Sequence, residues 1–191
     1  MSHRFADTLF TPAVRAVQEA YGSREHNERF AGIAGPNDRL TAREIEFIKQ
    51  RDTFYLATVS EDGWPYVQHR GGPRGFLRVL GPTQLGYADF RGNRQLISVG
   101  NVTKNDRVSL ILMDYPNRRR LKVLGHMQVH DIGDVSDKER AGVEPGNYRA
   151  FVERVVLIDV VAFDWNCPQH ISKRYTADEW AAIEETGNET S

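Results

Sequence analysis

Between Thr53 and Phe163 the chain falls into short strand-like runs, each ended by turn chemistry, and this constrains the fold more than any other feature. Residues 53–59 predict a strand, Glu61-Asp62-Gly63 a hairpin turn, and residues 64–69 the returning strand. Residues 76–80 and 84–88 predict a third and fourth strand around the Gly81-Pro82 turn. Residues 107–113 and 120–130 follow, separated by Tyr115-Pro116-Asn117. Residues 153–163 form a long apolar strand with Val155, Leu157, Asp159 and Val161 on one face. Six or seven antiparallel strands with hairpin-length loops predict a mainly β fold, a barrel with flanking helices, rather than a doubly wound sheet.

Helix signals bracket this region. Thr11-Pro12 before Ala13, Val14, Val17 and Tyr21 predicts a short amphipathic helix with proline in its first turn. Gly32, Gly35 and Pro36 interrupt the chain, and Thr41-Ala42-Arg43-Glu44 is a capping box ahead of Ile45, Phe47 and Ile48. The same device returns at Thr176-Ala177-Asp178-Glu179, before Trp180 and Ile183. A further helix is expected over residues 94–99, started by Gly92-Asn93. The acidic, glycine-bearing segment 131–146 has no period and is expected to be a mobile loop. Residues 1–40 then form an N-terminal helical extension and residues 41–191 a single domain.

With 191 residues, the chain suffices for one domain with a real core. Its 25 basic and 26 acidic residues leave a formal charge of −1, which disfavours nucleic acid as main partner. The single cysteine, Cys167, excludes an intramolecular disulfide and a cysteine-based zinc site, and suits a reducing cytoplasm. Neither a signal-peptide-like apolar run nor eighteen consecutive apolar residues occurs, so the expectation is a soluble cytoplasmic protein without a membrane partner.

The chemistry gathers in two basic, glycine-bearing turns at strand ends. In Arg91-Gly92-Asn93-Arg94-Gln95, glycine admits backbone close to a ligand and arginine offers a forked donor pair, which suits a phosphate monoester; a solvated turn is the plainer alternative. In Gln68-His69-Arg70-Gly71-Gly72-Pro73, His69 and Arg70 offer donors to a ring carbonyl or a phosphate. Arg120, in the basic run 117–120, stands on an edge from which it could reach over a neighbouring subunit's ligand. Trp165 could stack on a flavin ring, with Gln169 and His170 on its polar edge, or could pack as core. Cys167 and His170 make only half a metal site, and no nucleophile–base motif occurs. Two anion-seeking turns with no catalytic pair favour a phosphorylated aromatic cofactor that carries the hard step, read as flavin mononucleotide (FMN).

At Tyr55-Leu56-Ala57-Thr58-Val59, Asp62-Gly63-Trp64-Pro65-Tyr66, Tyr87-Ala88-Asp89-Phe90-Arg91-Gly92-Asn93-Arg94 and Arg107-Val108-Ser109-Leu110 the chain resembles the pyridoxamine 5′-phosphate oxidase-like, FMN-binding split-barrel family. The Gln68-His69-Arg70-Gly71-Gly72-Pro73 and Asn166-Cys167-Pro168-Gln169-His170-Ile171 strings look like a distinct branch. The resemblance implies a homodimer with FMN in a groove between subunits. Asn93 and Arg94 then fall at the phosphate, residues 68–70 on the strand lining the flavin, and Arg120 reaches FMN from the partner. Gly92-Asn93-Arg94 departs from the serine-arginine-lysine motif of the true oxidase, whose C-terminal arginine-histidine arrangement for the vitamin is also missing. The implied function is an FMN-dependent oxidoreductase with a small-molecule electron donor or acceptor. The alternatives are a non-catalytic flavin- or haem-binding module, with His69, His126 or His170 as axial ligand, and a deazaflavin-dependent reductase.

Overall fold

The computed structural model describes residues 3–33, 35–146, 148–165 and 169–188. Seven strands, β1 (Thr53–Val59), β2 (Pro65–Gly71), β3 (Arg78–Gly81), β4 (Gln84–Phe90), β5 (Arg107–Asp114), β6 (Arg119–Asp131) and β7 (Val152–Trp165), build one antiparallel sheet in the order β2-β1-β5-β6-β7-β4-β3. Burial alternates along β1 and β5, which turn Phe54, Leu56, Leu110 and Leu112 into the core. Leu121 and Val123 of β6, Val156 and Ile158 of β7, and Leu85 and Tyr87 of β4 complete it. The two flanks of the sheet meet through side chains: Arg70 of β2 lies 2.7 Å from Asp89 of β4, although four strands separate β2 from β4 in the sheet order. The barrel is therefore closed by an ion pair and core packing rather than by a strand pairing.

Seven helices are described: α1 (Arg4–Leu9), α2 (Pro12–Ala20), α3 (Arg24–Ile33), α4 (Ala42–Lys49), α5 (Ile97–Val102), α6 (Asp137–Val143) and α7 (Ala177–Asn188). The α4 capping box forms as expected, and Phe47 and Ile48 enter the core. Glu44 is buried: its carboxylate accepts from the Thr41 amide at 3.0 Å and the Trp165 indole N–H at 2.7 Å. Burial works to raise the Glu44 pKa, but these bonds outweigh it and hold the carboxyl below its ordinary value. Upstream, α1 buries Phe5 and Ala6 and packs on β7, whereas α2 buries no residue. Gly75 joins β2 to the core through a left-handed turn (φ +76°), and a Cβ there would lie 2.9 Å from the Lys49 carbonyl oxygen.

Two expectations need correction. Segment 131–146 is not a mobile loop, because it contains α6, opened by a Ser136–Glu139 capping box and pinned by fully buried Val143. Val143 packs with Ala88, Val152 and Val155 in a second apolar cluster. The helix expected over residues 94–99 begins at Ile97, because Arg94 and Leu96 take left-handed conformations (φ +58° and +56°) that no helix continues. Strand β7 forms where expected, with Val156, Ile158, Val160 and Ala162 deeply buried and Leu157, Asp159 and Val161 half-buried. Near its start β7 is covered on both sides, so Val155 is buried as well and alternation there does not select a face.

Candidate functional site

The two turns singled out in the sequence converge. Strand β2 alternates, sending Gln68 and Arg70 toward the β4–α5 corner and His69 to the opposite face. Gln68, Arg70, Asp89, Asn93, Arg94 and Arg154 are among the residues that wall a cleft whose enclosed volume is about 50 Å³. Buried Ser98 of α5 donates to Gln68 Oε1 at 3.1 Å, and buried Asn101 donates to Thr58 Oγ1 at 2.9 Å. These two bonds lock the short helix onto β2 and β1, and so fix the loop between β4 and α5 against the strands.

Charge is organised in a network. Asp89, 5% exposed, accepts from Arg70 at 2.7 Å on one oxygen and from Arg154 at 2.8 Å on the other. Glu153 accepts from Arg91 at 2.8 Å and Arg154 at 3.0 Å, with Arg94 at 3.9 Å. The Arg91 bond, with Arg154 and Arg94 beside it, holds the Glu153 carboxyl below its ordinary pKa against the effect of burial. Burial works against the charge of Arg154, but its bonds to Asp89 and Glu153 outweigh that and raise its pKa. Four guanidiniums (Arg70, Arg91, Arg94, Arg154) thus face two carboxylates (Asp89, Glu153), a formal surplus of two positive charges.

Two donors are left over. Arg70 Nε is buried with no hydrogen-bond partner among the described residues, as is the hydroxyl of Tyr87, whose ring lies 5.9 Å from the Arg70 guanidinium. Burial pushes the Tyr87 pKa up, so the phenol stays protonated. Loop 92–96 holds its shape against strain: left-handed backbone at a non-glycine residue costs on the order of 1–3 kcal/mol, and this loop carries it at Arg94 and Leu96. At Gly92 an added Cβ would meet nothing within 4 Å, so open space lies over the turn. A small recess with surplus positive charge, an orphaned guanidinium N–H and a strained basic loop is equipped to hold a compact dianion.

Other predicted residues lie elsewhere. Arg91 is half-exposed over the Phe151 ring at 4.3 Å, just outside the cleft wall. Gln95 is exposed, its amide donating to Asn93 Oδ1 at 3.2 Å. His69 Nε2 and Thr53 Oγ1 are 2.6 Å apart on the outer face of β1–β2, beside the Tyr55 ring. Arg120 pairs in register with Met113 on that same outer side, with its Nε buried and unpartnered. Gln169 and His170 are exposed and line none of the described clefts, whereas Asn166, Cys167 and Pro168 lie outside the described residues. His126 Nδ1 is 3.0 Å from Asp106, so His69, His126 and His170 all lie away from the cleft. Trp165 does not wall it either: its ring packs on Phe47, with the Arg43 and Arg119 guanidiniums at 4.4 and 4.9 Å. Among the described residues no cluster of metal-ligating side chains occurs, and no helix is long and apolar enough to cross a membrane.

The sequence reading missed Asp89, Ser98, Glu153 and Arg154 as parts of this site. A signal was present, since Asp89 sits in the apolar run of β4 and Glu153-Arg154 opens the apolar β7; charges inside such strands need partners.

A seven-stranded split barrel with an arginine-walled corner cleft defines the class of protein. Residues 40–158 match the family model for pyridoxamine 5′-phosphate oxidase, and the chain belongs to that family. A candidate pyridoxamine 5′-phosphate oxidase from Lactobacillus delbrueckii is 26% identical (TM-score 0.50), the match covering 66% of this chain and 94% of that one. HupZ of Group A Streptococcus is 14% identical (TM-score 0.53; 71% and 100% covered) and shares the fold. So does an FMN-binding protein from Syntrophomonas wolfei, 12% identical (TM-score 0.50; 75% and 95% covered). No curated protein matches the chain.

Proposed function

We propose that the chain binds FMN non-covalently, with the phosphate in the β4–α5 cleft, and works as an FMN-dependent oxidoreductase. The observation that carries this is a small recess walled by three guanidiniums (Arg70, Arg94, Arg154) against two carboxylates (Asp89, Glu153), with Arg91 at its rim, a net cationic corner suited to a phosphate of charge about −2. Arg70, Asn93, Arg94 and Arg154 hold the phosphate, with Arg91 and Gln95 at the rim and Gln68 toward the ribityl chain. Family membership and the FMN-binding protein of the same fold support this cofactor.

The dimer reading rests on size. An enclosed volume of about 50 Å³ holds a phosphate but falls far short of the roughly 300–1,000 Å³ of a cofactor pocket, so the tricyclic ring needs a second wall. A second copy supplies it in this reading. Arg120, on the outer face of its own chain, reaches the flavin from that partner; His69, Gln169 and His170 join from the same seam. Residues 41–191 make up the cofactor-binding unit, and residues 1–40 a helical extension anchored through α1.

When bound, the flavin supplies hydride and electron exchange with a reduced nicotinamide or a similar small molecule. The chain's part is to hold the phosphate, orient the ring and exclude water. Both cleft carboxylates are tied to arginines, so neither is free as a base. That same commitment favours one rival, a flavin-holding module without turnover. A yellow purified protein whose denatured supernatant contains FMN by mass spectrometry, and which is bleached by a reduced nicotinamide over many turnovers, supports the enzyme. Bound FMN without turnover favours the module, and a haem spectrum or a deazaflavin in the supernatant refutes the FMN assignment.

A further inference from the structure

A second recess, sharing no lining residue with the cleft, opens where β1 begins and β5 ends, and it encloses about 240 Å³. Three guanidiniums line it: Arg51 after α4, Arg74 in the turn after β2, and Arg174 before α7. Arg51 is the anchored one. Its Nη1 donates to the Met113 carbonyl at 3.1 Å and stands 3.7 Å from Asp114, while its buried Nε has no partner. Arg74 and Arg174 are exposed, and neither makes a hydrogen bond or an ion pair among the described residues; Arg174 lies over the Tyr115 ring at 5.1 Å. Tyr175 and Thr53 complete the wall. Three carboxylates, Asp52, Asp114 and Glu179, stand near the three guanidiniums and balance their formal charge, but none of them pairs with Arg74 or Arg174. Glu179 is turned back onto the Thr176 amide at 2.8 Å, Asp114 accepts from Asn117, and Asp52 is exposed at the rim.

Unpaired guanidiniums held near one another repel, and exposed arginines ordinarily find a carboxylate or leave for solvent. Two free forks and an orphaned buried N–H around one recess, beside two phenol rings, suit a planar ring with an anionic head. The geometry points to a second ligand site here, for a small aromatic phosphate or carboxylate: the head among Arg51, Arg74 and Arg174, the ring against Tyr115 and Tyr175. This goes beyond the cofactor reading and stands without it.

The test is calorimetric titration of the full chain with phenyl phosphate, benzoate and inorganic phosphate. Variants are Arg74→Gln/Arg174→Gln and, as a control on the other cleft, Arg94→Ala; circular dichroism confirms that each folds. Each lost guanidinium removes a charged hydrogen bond, so the double variant should weaken the aromatic-selective binding about a hundredfold, while Arg94→Ala changes only the binding that phenyl and inorganic phosphate share. The ring should make phenyl phosphate bind several-fold tighter than inorganic phosphate. The better of phenyl phosphate and benzoate identifies the head group. No saturable binding of either, a loss of that selective binding in Arg94→Ala as large as in the double variant, or equal affinity for inorganic and phenyl phosphate overturns the assignment.

Discussion

Replacing Asp89 by Asn removes the charge that holds two arginines at the barrel's closure. In the native chain this carboxylate is 5% exposed and accepts from Arg70 at 2.7 Å and Arg154 at 2.8 Å, both on side chains less than one-fifth exposed. Asn keeps the shape but leaves both cations facing a neutral amide, one of whose two groups is itself a donor. Breaking a buried pair by removing one partner costs about 3–5 kcal/mol, and the remaining oxygen of Asn places the expected cost near 3. For a chain of this size each kcal/mol lowers Tm by about 2–4 °C, so a fall of about 6–12 °C follows. Thermal unfolding followed by circular dichroism, in low phosphate, measures it. A fall below about 2 °C would mean that the network is solvated and that the barrel does not depend on it to close.

Three further outcomes follow from particular contacts. Gly75→Ala adds a side chain to a left-handed residue whose Cβ would lie 2.9 Å from the Lys49 carbonyl, so it should destabilise by about 1–3 kcal/mol, seen as a lower urea midpoint with unchanged slope; an unchanged midpoint refutes the strain. Glu44 has a folded pKa below its ordinary 4.5, so its stabilising contribution is complete above that pH and is lost as pH falls through the lowered value. The Tm gap between the wild type and Glu44→Gln should therefore be widest near neutral pH and close in acid; a constant gap contradicts it. Arg94→Ala should weaken FMN binding by about 1.5–3 kcal/mol, and unchanged flavin occupancy counts against the phosphate assignment.

Much of this was legible because local rules act locally. Residues 53–59 form a strand because β-branched and aromatic residues predominate there, and the boxes at Thr41 and Thr176 are four-residue devices. Ser136–Glu139 is the same device and was hidden only by the acidic, glycine-bearing residues around it. What was not legible is contact over long sequence separation. Nothing near Trp165 reveals that its indole N–H ends on Glu44, 121 residues earlier, or that Arg154 grips Asp89 across 65 residues. Likewise, the alternation of β2 separates His69 from Gln68 and Arg70, but only the sheet order shows which side carries the cleft. The late start of α5 depends on two left-handed residues that no propensity marks.

The central claim concerns a charged tail, so the most direct measurement compares two ligands that differ only in that tail. Titration of the purified apoprotein with FMN and with riboflavin, followed by flavin fluorescence, isolates the phosphate's contribution. Two or more charged hydrogen bonds at about 1.5–3 kcal/mol each predict that FMN binds at least about a hundredfold tighter, with the gap shrinking at least about tenfold in Arg94→Ala. Equal affinities for FMN and riboflavin, or a gap untouched by that substitution, would contradict it.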